Sequence, residues 1–246
     1  MFRIYQPWNS DPAMDAKGLQ EFVKGRIILV NKPLEWTSFD VVNKLRNVLQ
    51  KKLNRKLKVG HGGTLDPLAT GLLIVCTGKA TRLLSDITHY DKEYTGTLIL
   101  GATTPSYDRE TPIDQTYPTE DLTEELLHQA ARQFTGLILQ VPPAFSAVKV
   151  NGVRAYKKAR RGHTVEMEPR EVRIDSFELT EIRLPEVKFR VCCAKGVYIR
   201  SLVHDFGKAL GCGAYLHQLC RTRIGPYRLE DAADLNSIIR SLNPDN

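Results

Sequence analysis

Two long strand-forming segments, REVRIDSFELTEI (170–182) and EVKFRVCCAKG (186–196), stand three residues apart. A parallel pair needs a crossover of a dozen or more residues, so a gap this short admits only antiparallel pairing. SAVKVNGVRAY (146–156) adds Asn151-Gly152 between apolar runs, a strong two-residue hairpin signal. Helical and strand patterns are mixed along the rest of the chain without regular β-α-β alternation. The expected fold class is therefore α+β, built around a largely antiparallel sheet.

The remaining segments fit that class. RIILV (26–30) reads as a buried strand. TSFDVVNKLRNVL (37–49) opens with Thr37 and Asp40 at capping-box spacing and continues with Phe39, Val42, Leu45 and Leu49 on one helical face. LLIVCTG (72–78) reads as a strand and KATRLLSDI (79–87) as a short helix. KEYTGTLILG (92–101) reads as a strand with Tyr94, Gly96, Leu98 and Leu100 on one side. Residues 102–118 form a polar loop, TEELLHQAARQF (123–134) a helix and AYKKARRG (155–162) a basic helical stretch. YIRSLVHDFGKALG (198–211) is a helix closed by Gly211, and AYLHQLCRTRIG (214–225) a final strand. Residues 1–24 read as an irregular lead-in, 25–235 as one domain and 236–246 as a tail.

The chain carries 35 basic and 28 acidic residues, a net charge of +7. Excess Lys and Arg favours a polyanionic partner, nucleic acid first. The run KKLNRKLK (51–58) is the densest cationic stretch, and it also falls at a helix C-terminus, where the dipole favours cations. Cys76, Cys192, Cys193, Cys212 and Cys220 form neither C-x-x-C nor a Cys/His ligand spacing. That pattern points to reduced thiols and a cytoplasmic setting. No signal peptide and no membrane-spanning run is legible.

One acidic residue stands out. HGGTLDPLATG (61–71) places Asp66 alone among glycines and threonines, just after the basic run. As the residue before proline it is pushed out of the helical region. Asp66, Pro67 and Gly71 fit the N-cap, first position and C′ of a one-turn helix; the same turn would equally hold a nucleophile. A lone carboxylate fits poorly with the paired acids of ordinary glycosidases. Used covalently it must stay ionised, which requires a nearby cation. Competing motifs fail. Gly78-Lys79 lacks the first P-loop glycine and the following Ser/Thr, GHGGTL does not complete a dinucleotide fingerprint, and no histidines form H-E-x-x-H.

VGHGGTLDPLATGLLIV (59–75) resembles the signature loop of the TruB family of tRNA pseudouridine synthases. VNKPLEWTSFDVV (30–42) is similar to that family's Lys-Pro-x-Gly-x-Thr-Ser opening motif. KEYTGTLILGATT (92–104), VPPAFSAVKVNGVRAYKKARRG (141–162) and KGVYIRSLVHDFGKALGCGAYLHQLCRTRIG (195–225) follow in the family's order. The resemblance implies a pseudouridine synthase fold, a mixed, mainly antiparallel central sheet flanked by helices and loops. It implies isomerisation of uridine in tRNA, typically at position 55 of the T-arm, by a monomer without cofactor or metal. Asp66 is then the nucleophile, attacking ribose C1′ or uracil C6 of a flipped-out nucleotide. Arg200 pairs with it, and its apolar surroundings VYIRSLV support a buried, partnered arginine. Tyr94 stacks on the base and serves in proton transfer at C5. Tyr198 and Leu219 line the uracil pocket, His61 fills the gap left in the stack, and Lys32 braces the loop or binds substrate. KKLNRKLK, KKARRGH (157–163) and the trio Arg221, Arg223 and Arg228 are expected to track the tRNA backbone.

The chain also departs from the family pattern. Glu35 stands where the opening motif generally has glycine. TTPSYDRET (103–111) lacks the usual Thr-Asp-Thr-x-Asp run, which leaves Asp108 without an assigned role. Many bacterial members continue into a PUA-type RNA-binding domain, for which the 19 residues after Tyr227 are too few. Two rival readings are a non-catalytic RNA-binding protein on the same scaffold and a nucleoside or glycoside hydrolase.

Overall fold

A computed structural model describes residues 3–5, 16–146, 148–150 and 152–242. The chain divides into two compact units, the first comprising residues 1–92 and 220–246, the second residues 93–219.

The first unit is organised by the doubly buried run Ile27–Val30. β1 (Arg3–Tyr5) lies parallel to β2 (Arg26–Lys32), and the helix α1 (Ala16–Lys24) comes between them in the chain. Leu19, Phe22 and Val23 give α1 its helical spacing, and Phe22 is fully buried, so the expected irregular lead-in is in part a packed helix. α2 (Ser38–Leu53) starts at Thr37 with both halves of the capping box present. β3 (Val59–His61) and β2 each pair antiparallel with β4 (Ala69–Thr77). A 3-10 turn, 78–83, leads into α3 (Leu84–His89).

Because side chains alternate along a strand, β2 and β4 feed two cores. Ile28, Val30, Leu73 and Val75 pack with Val41, Val42, Leu45 and Leu49 of α2. Ile27, Leu29, Leu72 and Ile74 pack with Ala80, Ile87 and Ile224. Phe39 does not join the α2 stripe; it is 58% exposed, with the Arg46 guanidinium over its ring. Val41 takes the buried position instead.

The second unit opens in β5 (Lys92–Leu100). The segment expected as a polar loop contains two short antiparallel strands, β6 (Ala102–Thr103) and β7 (Gln115–Thr116). α4 (Glu124–Arg132) is capped by Thr123. β8 (Gly136–Gln140) pairs with the long strand β11 (Arg170–Arg183), which pairs on its other side with β12 (Glu186–Cys193), both antiparallel. β9 (Lys149–Val150) and β10 (Val153–Arg154) form the expected hairpin, although Asn151 lies outside the described residues. α5 (Ala155–Ala159) is the basic helical stretch. α6 (Ile199–Ala209) ends near Gly211, whose φ is +72°. Phe177, Phe189 and Phe206 meet edge to face in this unit's core.

β13 (Ala214–Ile224) carries the chain back to the first unit and is not the last strand. β14 (Tyr227–Arg228) pairs with it, and β15 (Ala233–Asp234) adds to β2. α7 (Leu235–Leu242) follows, with Leu235, Ile238 and Leu242 buried in the α2 core, so residues read as a tail complete the packing. The pairing is mainly antiparallel and the fold class is α+β, as expected. None of the five cysteines forms a disulfide, and burial pushes the Cys76 thiol up to about 12. Among the described residues no helix is long and apolar enough to cross a membrane.

The link from β2 to α2 contains one strained position. Glu35, exposed, has φ +66°. A side chain in this left-handed region costs roughly 1–2 kcal/mol, more than the roughly 0.5–1 kcal/mol of extra chain entropy that glycine loses on folding. Glu35→Gly is therefore expected to raise stability by about 1 kcal/mol in urea denaturation; a loss of stability contradicts the assigned conformation.

Candidate active site

Between β3 and β4 the chain makes a tight excursion that begins at His61 and ends at Ala69. Small residues are required there: a Cβ on Gly62 would lie 2.4 Å from Ile87 Cγ2. Gly71 is not a helix C′ residue. It sits within β4 at φ +101°, and a Cβ there would lie 2.4 Å from the Arg221 carbonyl oxygen. Residues 66–69 form a turn closed by the Ala69 N–H donating to the Asp66 carbonyl at 3.1 Å, with no helix. Pro67 fixes its own φ and keeps Asp66 extended. Asp66 is half-buried at the corner of that turn.

Buried carbonyls need donors, and side chains supply several of them in this loop. The Ser38 hydroxyl accepts from Leu65 N–H at 2.8 Å and donates to Leu65 C=O at 3.1 Å. Pro67 C=O accepts from Glu35 N–H at 2.8 Å and from Lys32 Nζ at 3.3 Å. Lys32 Nζ also donates to Trp36 C=O at 2.6 Å and Pro33 C=O at 2.8 Å. Lys32 is fully buried, and these three carbonyls use the three hydrogens of its ammonium group. Burial lowers its pKa from 10.5 to about 8, opposed by attraction to Asp66.

Arg221 is 1% exposed. Its guanidinium donates to Leu72 C=O at 2.9 Å, Gly63 C=O at 3.1 Å and Thr64 C=O at 3.4 Å. The expectation that Arg221 tracks an RNA backbone is thus corrected: its planar fork is spent inside the loop. Arg223, half-buried, donates to Gly225 C=O, while Arg228 is exposed beside Glu230. His61 is half-buried, and burial, aided by the Arg221 charge, holds its pKa below the usual histidine value.

In the second unit, α6 carries Arg200 in its first turn, 4% exposed. Nη1 donates to Ser106 C=O at 3.2 Å and Nη2 to Phe145 C=O at 3.0 Å, while Nε lies 3.6 Å from Asp108 Oδ2. The buried, partnered arginine expected from its apolar surroundings is present, and within the unit Asp108 stands beside it. Asp108 is itself buried, with Oδ1 accepting from Glu110 N–H at 2.9 Å. Tyr198 precedes α6, its backbone held by Gln140, which accepts from Tyr198 N–H at 2.8 Å and donates to its C=O at 3.1 Å. Tyr94 is buried on β5, and Leu219 is half-buried on β13. The first unit therefore gathers Lys32, His61 and Asp66, and the second holds Tyr94, Tyr198, Arg200 and Leu219.

Residues 47–199 match the model of the TruB family pseudouridylate synthase N-terminal domain. The chain belongs to the TruB family. Residues 200–243 match the tRNA pseudouridylate synthase B C-terminal domain. Among curated relatives, tRNA pseudouridine synthase B of Flavobacterium johnsoniae is 53% identical over 91% of this chain and 98% of its own. The protein of the same name from Phocaeicola vulgatus is 54% identical over 88% of this chain and 92% of its own. Among solved structures, a chain of a Cbf5-Nop10-Gar1 complex is 31% identical with a TM-score of 0.69, covering 96% of this chain and 57% of that one. A chain from an H/ACA RNP bound to a substrate RNA containing 2'-deoxyuridine is 30% identical with a TM-score of 0.65, covering 90% of this chain and 54% of that one. The pseudouridine synthase fold follows.

In the first unit of this TruB-family chain sequence reasoning missed the contacts of Ser38 and Arg221, and in the second those of Asp108. Ser38 looked like the first residue of a helix, and Arg221 like one of a surface cluster. Lys32 gives a direct test. Its pKa is lower folded than unfolded, so the folded chain holds fewer protons between about pH 8 and pH 10.5, and stability rises with pH there. In urea denaturation the stability of wild type relative to Lys32→Met should grow across that window; a gap that shrinks contradicts the buried-ammonium geometry.

Proposed function

We propose that this protein isomerises uridine to pseudouridine in tRNA, at position 55 of the T-arm, as a cytoplasmic monomer with Asp66 as nucleophile. The observation that carries the reading is Asp66 itself, a carboxylate on a proline turn whose flanking carbonyls are held by Ser38, Lys32 and Arg221. Membership of the TruB family and relatives named tRNA pseudouridine synthase B supply the reaction and the class of RNA.

The target nucleotide leaves the stack, and His61 occupies its place. The Asp66 carboxylate adds to ribose C1′ or to uracil C6, and the N-glycosidic bond breaks. The freed uracil turns within the pocket and bonds through C5 to C1′, the Asp66 bond to C1′ or C6 breaks and returns the carboxylate, and C5 loses its proton while N1 gains one. Tyr94 stacks on the base and assists that proton transfer. A carboxylate used in this way must remain ionised, and Arg200 is the guanidinium at the family's position for the task. Tyr198 and Leu219 line the uracil pocket. Lys32 braces the turn and makes no contact with substrate, since its donors are already taken. Exposed Lys51, Arg55, Lys56 and Lys58 contact phosphates, with affinity that falls as salt rises.

The decisive comparison uses an unmodified T-arm stem-loop. Wild type is expected to form pseudouridine with RNA mass unchanged. Asp66→Asn should bind the RNA within a few-fold of wild type while conversion falls by roughly 10³-fold or more. Equal conversion by the variant contradicts the nucleophile, free uracil and an abasic site would indicate a hydrolase, and binding without conversion by wild type would indicate a non-catalytic RNA-binding protein.

A further inference from the structure

α6 offers two side chains from one face to the loop that holds Asp108. Arg200 and His204 lie one helical turn apart, so both project to the same side. Arg200 meets Ser106 C=O and the Asp108 carboxylate. His204 meets the residue between them. Its ring lies flat on Tyr107, with centroids 3.8 Å apart and planes inclined by 14°.

Tyr107 has φ +64°. A bulky side chain in the left-handed region is an outlier that persists only where its surroundings over-determine it. The backbone supplies two restraints: Tyr107 N–H donates to Thr104 C=O at 3.1 Å, and Tyr107 C=O accepts from Leu216 N–H at 2.9 Å. The stacked ring supplies a third, acting on the side chain. His204 Nδ1 is buried without a hydrogen-bond partner. That nitrogen does not anchor the ring, and its burial carries a desolvation cost. Toward Tyr107 the histidine presents the flat face of its ring.

We propose that His204 is a positioning residue for the isomerisation: by stacking on Tyr107 it fixes the left-handed turn that delivers Ser106 C=O and Asp108 to Arg200. This rests on reading Arg200 as part of the catalytic apparatus. His204 touches neither substrate nor reacting atoms, and acts through Tyr107.

The test compares wild type, His204→Ala and His204→Phe on an unmodified T-arm stem-loop. Loss of the ring should lower kcat about tenfold with KM within about twofold, whereas phenylalanine keeps the stacking surface and should hold kcat within about twofold of wild type. In parallel, the Arg200 Nε–H signal in 15N NMR, assigned by its absence in Arg200→Lys, should shift or exchange faster in His204→Ala and stay in place in His204→Phe. Wild-type kcat in His204→Ala, or an equal loss in both variants, overturns the proposal. If wild type itself forms no pseudouridine, the functional reading fails, and the NMR comparison alone still decides whether the stack positions Arg200.

Discussion

The turn that carries Asp66 depends on buried carbonyl oxygens that need donors. A partly buried loop must satisfy those backbone groups that are shut off from water or lose about 1–3 kcal/mol for each one left unpaired. Arg221 meets that demand at Gly63, Thr64 and Leu72, and Lys32 meets it at Pro33, Trp36 and Pro67. The dependence is mutual. A buried cation is tolerable only when hydrogen-bonded, so the loop and the two side chains stabilise one another or fail together. The lowered pKa of Lys32 is the electrostatic trace of that arrangement.

The same constraint explains why the link from β2 to α2 is shaped as it is. Glu35 turns left-handed so that its N–H reaches Pro67 C=O, and Ser38, at the first position of α2, reaches both polar groups of Leu65. The capping box of Thr37 and Asp40 fixes where the helix starts and hence where Ser38 stands. The opening motif and the Asp66 motif, far apart in sequence, are thus one structural element. A mount held by this many hydrogen bonds suits the role proposed for Asp66, since small displacements of a reacting group carry large rate costs.

Much of the fold was legible. Apolar periodicity identified β2, α2, β4, β5, β11, β12 and α6, the capping box marked the start of α2, and Asn151-Gly152 marked the β9–β10 hairpin. Short connections gave the antiparallel preference. Other features depend on tertiary context. α1 was hidden in a polar, proline-broken N-terminal stretch, and α7 was too short and too close to the terminus to read as core. Phe39 fits the apolar stripe by spacing, yet the packing direction of α2 buries Val41 instead. At the site, Asp66 was visible because proline and glycine announce a turn. Arg221 was not, because nothing local distinguishes an arginine that faces loop carbonyls from one that faces phosphate. Asp108 was obscured by a loop that departs from the family pattern, and its burial beside Arg200 became apparent only in three dimensions.

The most direct measurement of the central claim, that a side-chain-held turn presents Asp66 for catalysis, is the single-turnover rate of Ser38→Ala on a T-arm stem-loop. The substitution cuts two hydrogen bonds to Leu65 and leaves Asp66, Lys32 and Arg221 untouched. The rate should fall by about tenfold while RNA affinity stays within about twofold, because only the placement of the carboxylate is disturbed. A single-turnover rate equal to wild type would contradict the account.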